Sequence, residues 1–312
     1  MKGKDLKEEL RGVHVIVYTP FKPDFALDEE GMREQVRYLI DHGVKRGQGV
    51  LIPTGSGGEC AALTIAERKR IMEIVVDEAR GEVPVVPGCN HSGTGIVIEL
   101  ARHAREVGAD GVMVMPTYYF RPPGDETIFR HYQAISEAAD IGILVYNNPT
   151  ITGANMSVQL VGRLAEIENV AGVKECSPRL YKHRMEQMLY GDRIAIVSGQ
   201  GPLEEPYHLM IGQPGYVAGY TNFAPEINVG IYKAAMSGDM DRAAELSHKL
   251  LPLGVCLYNL GRTAGAGQGT ALLKECCRLA GRPGAIPRPP LLPATKEQSE
   301  QLETQLANLG VL

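Results

Sequence analysis

The feature that most constrains the fold is an alternation of short apolar runs with longer amphipathic segments along residues 1–238. The short runs are rich in Val and Ile and apolar throughout, which is typical of parallel strands covered on both faces. The predicted strands are residues 13–18, 49–53, 83–87, 111–115, 142–146, 170–174, 194–198 and 216–219. These eight runs match the strand number that closes a parallel barrel.

Each predicted strand is followed by a segment with helical spacing of its apolar residues, as in Met32, Val36 and Leu39. The predicted helices are residues 27–42, 64–80, 94–107, 126–139, 157–167, 181–190, 203–211 and 223–236. Thr64 and Glu67 stand three positions apart at the start of the second helix. This spacing predicts a capping box there.

The order of these segments predicts the fold class. Strand–helix units in uninterrupted order indicate an α/β fold, a closed (β/α)8 TIM barrel. The alternative, an open doubly wound sheet, is disfavoured because no GxGxxG motif follows the first strand. The remaining segment predicts helices over residues 240–260, 269–280 and 296–307. We therefore expect a barrel over residues 1–238 and a C-terminal helical extension over residues 239–312 that packs on it.

Composition excludes several classes of function. The net charge is −5 and acids and bases are interspersed, which is unlike a surface that binds nucleic acid or a membrane. No apolar run approaches the roughly 18 residues of a membrane span, and the N-terminus lacks the apolar segment of a signal peptide. The six cysteines and eight histidines form no CxxC, HxH or HExxH pattern, so no metal site is predicted. We expect a cytoplasmic protein.

The active site of such a barrel lies where its strands end. The second predicted strand ends in a turn containing Gly55, Ser56 and Gly57, which we call the anion cradle. A Gly-rich turn before a helix exposes backbone N–H groups, and Ser56 adds a hydroxyl, so the turn suits a carboxylate or a phosphate. A plain tight turn is the alternative.

Two further side chains stand at strand ends. Tyr146 ends the fifth predicted strand and can relay a proton through its phenol; the alternative is a tyrosine packed at the rim. Lys174 ends the sixth. If Lys174 is held inside the barrel, burial lowers the pKa of its amine and favours a Schiff base, whereas an exposed lysine extends to solvent. An anion cradle, a phenol and an amine together fit addition of lysine to a 2-keto acid.

Four motifs carry a family resemblance: GSGGE, YYFRPP, YNNP and GVKE, in this order. With the TPF sequence at Thr19 and the LTxxER segment from Leu63, they resemble the dihydrodipicolinate synthase / N-acetylneuraminate lyase superfamily of pyruvate-type aldolases and dehydratases. The similarity extends along nearly the whole chain. It implies a metal-independent lyase that needs no cofactor and a homotetramer built as a dimer of dimers.

The resemblance assigns roles residue by residue. Lys174 matches the Schiff-base lysine, and Tyr146 matches the tyrosine that shuttles protons. The anion cradle matches the loop that grips the carboxylate of the keto acid. Tyr119 matches a tyrosine that completes a proton relay from a neighbouring subunit, and Val217 stands where a backbone carbonyl faces the bound intermediate.

Two positions depart from the family pattern. The second of two adjacent hydroxyl residues is replaced by Gly57, which weakens the hydroxyl relay. The arginine that follows the YNxP proline in true dihydrodipicolinate synthases is replaced by Ile151, so an aldehyde substrate with a carboxylate loses its clamp. Glu204 and Glu205 fall near an acidic pair of the sialic-acid lyases, although helix-start glutamates also favour the helix dipole.

The predicted function is therefore a Schiff-base-forming aldolase or dehydratase acting on a sugar-acid or aryl 2-keto acid. One alternative is a synthase that condenses pyruvate with an aldehyde. The other is a catalytically silent barrel that binds a keto acid.

Overall fold

The computed structural model describes residues 1–119, 123–201, 203–264, 268–283 and 286–312. Within them, seven parallel strands form one sheet in the order β2-β1-β7-β6-β5-β4-β3. The strands are β1 (Gly12–Ile16), β2 (Gly49–Ile52), β3 (Val112–Val114), β4 (Ile143–Asn147), β5 (Val170–Glu175), β6 (Ala195–Ser198) and β7 (Gly215–Val217).

The barrel is closed by residues 83–88, which lie between the edge strands β2 and β3. Leu51 of β2 donates its N–H to the carbonyl of Pro84, and Met113 of β3 donates to that of Pro87, both at 2.9 Å. The segment forms isolated bridges rather than the regular strand predicted for it, because the two prolines have no N–H to donate to a ladder. The predicted (β/α)8 barrel is confirmed, with this irregular segment in the place of one of its eight strands.

Helices cover the outside of the barrel and continue beyond it. They are α1 (Gly3–Glu9), α2 (Glu29–Asp41), α3 (Ile65–Ala79), α4 (Thr94–Glu106), α5 (Asp125–Ala139), α6 (Pro149–Thr152), α7 (Val158–Leu164), α8 (Leu180–Tyr190), α9 (Glu205–Met210), α10 (Pro225–Met236), α11 (Met240–Ala264), α12 (Gln268–Leu279) and α13 (Lys296–Leu309). The capping box at the start of α3 is present: Glu67 N–H donates to the Thr64 hydroxyl at 3.2 Å, and Thr64 N–H donates to the Glu67 carboxylate at 2.8 Å.

Helix α1, which the sequence pattern did not predict, closes the N-terminal end of the barrel. Its side chain Leu6 and the following Leu10 are fully buried in the barrel interior. A Cβ added at Gly111 or Gly142 would lie 2.3 or 2.8 Å from a Leu6 methyl carbon. Glycine is required at both positions because the leucine fills the space that a side chain would need.

The C-terminal helices share their core with the barrel. One hydrophobic cluster contains Val15 and Leu39 of the barrel units together with Leu253 and Leu302 of α11 and α13. The division at residue 239 stays a prediction. No helix within the described ranges combines the length and the apolarity needed to cross a bilayer.

Candidate active site

Lys174 and Tyr146 face each other at the ends of neighbouring strands. The register of β4 and β5 pairs the two residues directly, and the Lys174 Nζ lies 3.8 Å from the centroid of the Tyr146 ring. Lys174 is only 4% exposed. The amine is therefore held inside the barrel, against the face of an aromatic ring that attracts cations.

The pKa of the Lys174 amine is raised, whereas a lowered value is what burial by itself predicts. Burial, the largest effect, lowers the pKa of the amine, but the electrostatic effects of Tyr146 and Cys176 and a hydrogen bond with Tyr146 outweigh it. Burial in turn raises the pKa of the Cys176 thiol to about 11, so that thiol carries no charge near neutral pH. A neighbouring proton acceptor is thus needed to free the amine, and Tyr146 is the group placed beside it.

Two residues that the sequence did not single out shape the surroundings of this pair. Asn148 donates its side-chain amide to the Tyr146 phenol oxygen at 2.9 Å. A Cβ on Gly199 would lie 3.2 Å from the Lys174 Cε and even closer to the Cys176 sulfur. Asn148 orients the phenol, and glycine at position 199 keeps the space around the lysine open. The second Asn of YNNP is the only sequence signal for either.

A buried polar network behind the strands holds the register. The Asn147 side chain donates to both carboxylate oxygens of Glu175, at 2.9 and 2.8 Å. Glu175 also accepts a hydrogen bond from Lys182 Nζ at 2.5 Å. Because Asn147 and Glu175 directly follow Tyr146 and Lys174, this network ties together the strand ends that carry the phenol and the amine.

The anion cradle follows β2, which lies across the barrel from β5, the strand that carries Lys174. The Ser56 hydroxyl oxygen is buried and has no hydrogen-bond partner among the described residues, which is a costly state unless a ligand or water meets it. A Cβ on Gly57 would lie 3.2 Å from the Tyr18 ring and 3.2 Å from an Ile16 methyl carbon. The missing second hydroxyl thus has a packing reason, because Tyr18 occupies the adjacent space.

The other predicted site residues differ in their surroundings. Val217 is buried in the barrel-interior cluster that contains Tyr146, and the half-buried Ile151 packs against the same cluster. Tyr119 is 79% exposed at the rim, where its N–H donates to the Ser92 hydroxyl at 3.1 Å. The structure brings Val217 and Ile151 to the barrel interior and leaves the Tyr119 ring facing outward. Phe120, Arg121 and Pro122 of YYFRPP lie outside the described residues.

The two adjacent glutamates occupy different environments. Glu205 is fully buried, and burial raises the pKa of its carboxyl well above the ordinary value. Glu204 lines a cavity of about 350 Å³ together with Gln200, Tyr220 and residues of α11 and α12. Among the described residues, Glu204 lines this cavity and Glu205 does not.

A closed parallel barrel with a buried lysine against a tyrosine at its strand ends defines the class: a Schiff-base-forming lyase of the pyruvate aldolase type. The profile of the Dihydrodipicolinate synthetase family matches residues 9–309. The chain belongs to this family.

Individual relatives agree over nearly full length. The chain is 36% identical over 306 residues to a 4-hydroxy-tetrahydrodipicolinate synthase of Methanopyrus kandleri, covering 97% of this chain and 98% of the relative. It is 35% identical to the protein of the same description from Methanothrix thermoacetophila, with coverage of 97% and 98%.

Solved structures show the same similarity. A monomeric dihydrodipicolinate synthase variant superposes with a TM-score of 0.88 at 30% identity, covering 98% of each chain. YagE, a prophage protein of E. coli K12 solved in complex with pyruvate, gives a TM-score of 0.88 at 29% identity, covering 97% of this chain and 99% of YagE.

Proposed function

We propose that Lys174 forms a Schiff base with the C2 ketone of pyruvate or of a pyruvate-derived 2-keto acid. The observation that carries the proposal is the buried Lys174 Nζ at 3.8 Å from the Tyr146 ring centroid. The unpartnered Ser56 hydroxyl and the backbone N–H groups of the anion cradle supply donors for the carboxylate of the same molecule.

The Tyr146 phenol moves the protons of this step. As the phenol oxygen takes a proton from the Lys174 ammonium, the phenol passes its own proton to the ketone oxygen, and the freed amine adds to C2 to give a carbinolamine with a protonated nitrogen. In a second relay the phenol takes a proton from this nitrogen and passes its own to the C2 hydroxyl, which leaves as water while the nitrogen lone pair forms the C=N bond. The iminium withdraws electrons, so the C3–C4 bond of the substrate can break with its electron pair retained in an enamine, while the proton of the C4 hydroxyl passes through the Tyr146 phenol to water. In a dehydration, C3 instead loses a proton to give the enamine, and the C4 hydroxyl takes up a proton and leaves as water.

The environment of Ile151 supports a substrate whose distal end is uncharged. Its side chain packs against the cluster that contains Tyr146, and an apolar group there offers no charge-assisted hydrogen bond to a second carboxylate. We therefore favour aldol cleavage or dehydration of a sugar-acid or aryl 2-keto acid. The second candidate is condensation of pyruvate with an amino-acid-like aldehyde, which the descriptions of the relatives support.

Borohydride trapping tests the chemistry directly. Wild-type protein treated with pyruvate and sodium borohydride is expected to carry a reduced adduct on the Lys174 peptide, measured by mass spectrometry. Lys174→Met is the control and should give none. A wild-type protein with an unmodified Lys174 peptide and full activity after treatment would reject the Schiff base. A panel of sugar-acid, aryl and amino-acid-like partners then separates the two candidate reactions.

We also propose a homotetramer, for which the surface supplies a separate argument. Helices α8 and α9, which touch through the rings of His183 and His208 at 4.5 Å, expose large apolar side chains. Tyr181 and Met188 are 72% and 74% exposed, and Met210 is 66% exposed. Exposed apolar area of this kind on adjacent helices marks a protein interface. Light scattering of the wild type and of Tyr181→Glu tests it: a tetramer that becomes smaller supports the interface, and a monomeric wild type rejects the assembly.

A further inference from the structure

We propose that Lys274 and Glu59 are a positioning pair through which the C-terminal extension holds the anion cradle in its binding geometry. The inference rests on the proposed function, because it assigns a role to residues that support the carboxylate site. Lys274 lies on α12 and Glu59 ends the turn that contains the cradle, 215 residues away in the chain. Neither is expected to touch the substrate.

Lys274 uses all three of its N–H donors in the protein interior. Its ammonium donates to Glu59 Oε1 at 2.5 Å, to the Thr19 carbonyl at 2.9 Å and to the Ile286 carbonyl at 2.6 Å. The side chain is fully buried and that of Glu59 is 1% exposed. A lysine offers three donors, so this ammonium is saturated by groups that it holds together.

The groups that Lys274 holds flank the cradle on both sides. The Thr19 hydroxyl donates to the Gly58 carbonyl at 2.6 Å, and Thr19 follows β1. Glu59 donates its own N–H to the Ser56 carbonyl at 3.0 Å. The ammonium therefore connects the segment after β1 with the segment after the cradle, and α12 supplies the connection.

The cradle backbone needs such support because it is strained at both ends. Thr54 and Glu59 have φ angles of 54° and 56°, in the left-handed region that non-glycine residues rarely adopt. Thr54 is held by its hydroxyl, whose single proton is within hydrogen-bond reach of the carbonyls of Pro53 and Gly88. Glu59 is held by Lys274 and by the N–H of Arg288, which donates to Oε2 at 2.8 Å.

Stability by itself gives little reason for a buried ion pair here. Replacing such a pair by apolar residues of similar volume is often neutral or stabilising. The three hydrogen bonds of Lys274 connect the segments on both sides of the cradle. This arrangement is explained if binding of the ligand depends on the position of the cradle. Loss of the pair should then weaken binding of the keto acid and leave the reaction at Lys174 intact.

The test measures the pyruvate concentration that gives half-maximal borohydride trapping on Lys174, which does not depend on the second substrate. Lys274→Met is expected to raise this concentration about tenfold or more, while trapping at saturating pyruvate stays complete. Lys296→Met is the matched control in the same extension, because Lys296 is 92% exposed in its surface ion pair, and its half-saturation should not change.

A second variant separates positioning from folding. The double variant Glu59→Gln/Lys274→Met leaves no unpaired buried charge and is expected to fold even if Lys274→Met does not. Its half-saturation should still be raised about tenfold, because the connection to Thr19 and Ile286 is lost. A folded double variant with wild-type half-saturation would overturn the inference. Absence of an adduct in the wild type would instead reject the proposed function.

Discussion

Two buried ion pairs stand behind the two halves of the candidate site, and they differ in how they are built. Behind the amine, Glu175 accepts a hydrogen bond from Lys182, seven residues further on. Behind the anion cradle, Glu59 accepts one from Lys274, 215 residues further on. Both contacts measure 2.5 Å, and each glutamate is the last residue of its motif, GVKE or GSGGE.

The difference is that one ion pair can form within a single strand–helix unit, whereas the other needs segments from distant parts of the chain. Glu175 ends β5 and Lys182 lies on α8, so this ion pair forms within a single strand–helix unit. Glu59 depends on α12, so the cradle is complete only after the extension has packed on the barrel. We therefore expect damage to the first pair to act on the reacting groups and the fold, and damage to the second to act on substrate affinity.

The largest expected effect concerns the reacting groups. Tyr146→Phe keeps the ring beneath Lys174 but removes the phenolic proton. We expect kcat to fall by about 10²–10⁴, the usual contribution of a general acid–base group, with little loss of stability. Steady-state kinetics on the best substrate of the panel measures this. An unchanged kcat would show that another group relays the protons and would contradict the role proposed for Tyr146.

Lys182→Met tests the amine-side pair through stability. The change leaves the buried carboxylate of Glu175 without its cation, and losing one partner of a buried pair costs about 3–5 kcal/mol. Urea unfolding of this variant and of the exposed-site control Lys296→Met measures the difference. If both variants lost less than about 0.5 kcal/mol, the buried network would not be what holds the β4–β5 register.

The amine-side network also predicts a pH dependence, because it contains a second carboxyl. Burial and repulsion from Glu175 raise the pKa of Glu186 to about 8, above its unfolded value of about 4.3. The folded state therefore binds more protons between these two pH values, and its stability falls as pH rises through that window, by at most about 1.4 kcal/mol per pH unit. Above the folded pKa the loss is complete.

Glu186→Gln should remove this contribution. As the pH rises from 5 to 9, the wild type is expected to lose up to about 4 kcal/mol of unfolding free energy that the variant keeps. Urea titrations at both pH values measure it. An equal difference between variant and wild type at the two pH values would show that Glu186 does not titrate in this range.

The smallest expected effect concerns the cradle itself. Ser56→Ala removes the buried hydroxyl that has no hydrogen-bond partner among the described residues. One hydrogen bond to a charged group contributes about 1.5–3 kcal/mol, so half-saturation by pyruvate should rise about tenfold or more while stability is retained. An unchanged pyruvate concentration at half-saturation would show that the backbone N–H groups alone bind the carboxylate.

The sequence predicted the features that depend on short-range pattern. Apolar runs and helical spacing predicted the barrel, and the capping box at Thr64 is present as expected. The irregular segment at residues 83–88 was less predictable, because its prolines change the hydrogen bonding while leaving the apolar pattern intact. Helix α1 was missed because a short helix leaves only a weak periodic signal in Leu6 and Leu10.

What the sequence by itself determined is the set of strands and the residues at their ends, including Lys174 beside Tyr146 once β4 and β5 are neighbours. Only the tertiary structure decided that Tyr18 fills the space beside Gly57 and that Lys274 reaches Glu59. The local sequence pattern predicts which face of a strand or helix is apolar, because the residues of that face recur at a regular spacing. No such pattern predicts a contact between α12 and the loop after β2, since this contact forms only when the barrel has closed and the extension has packed against it.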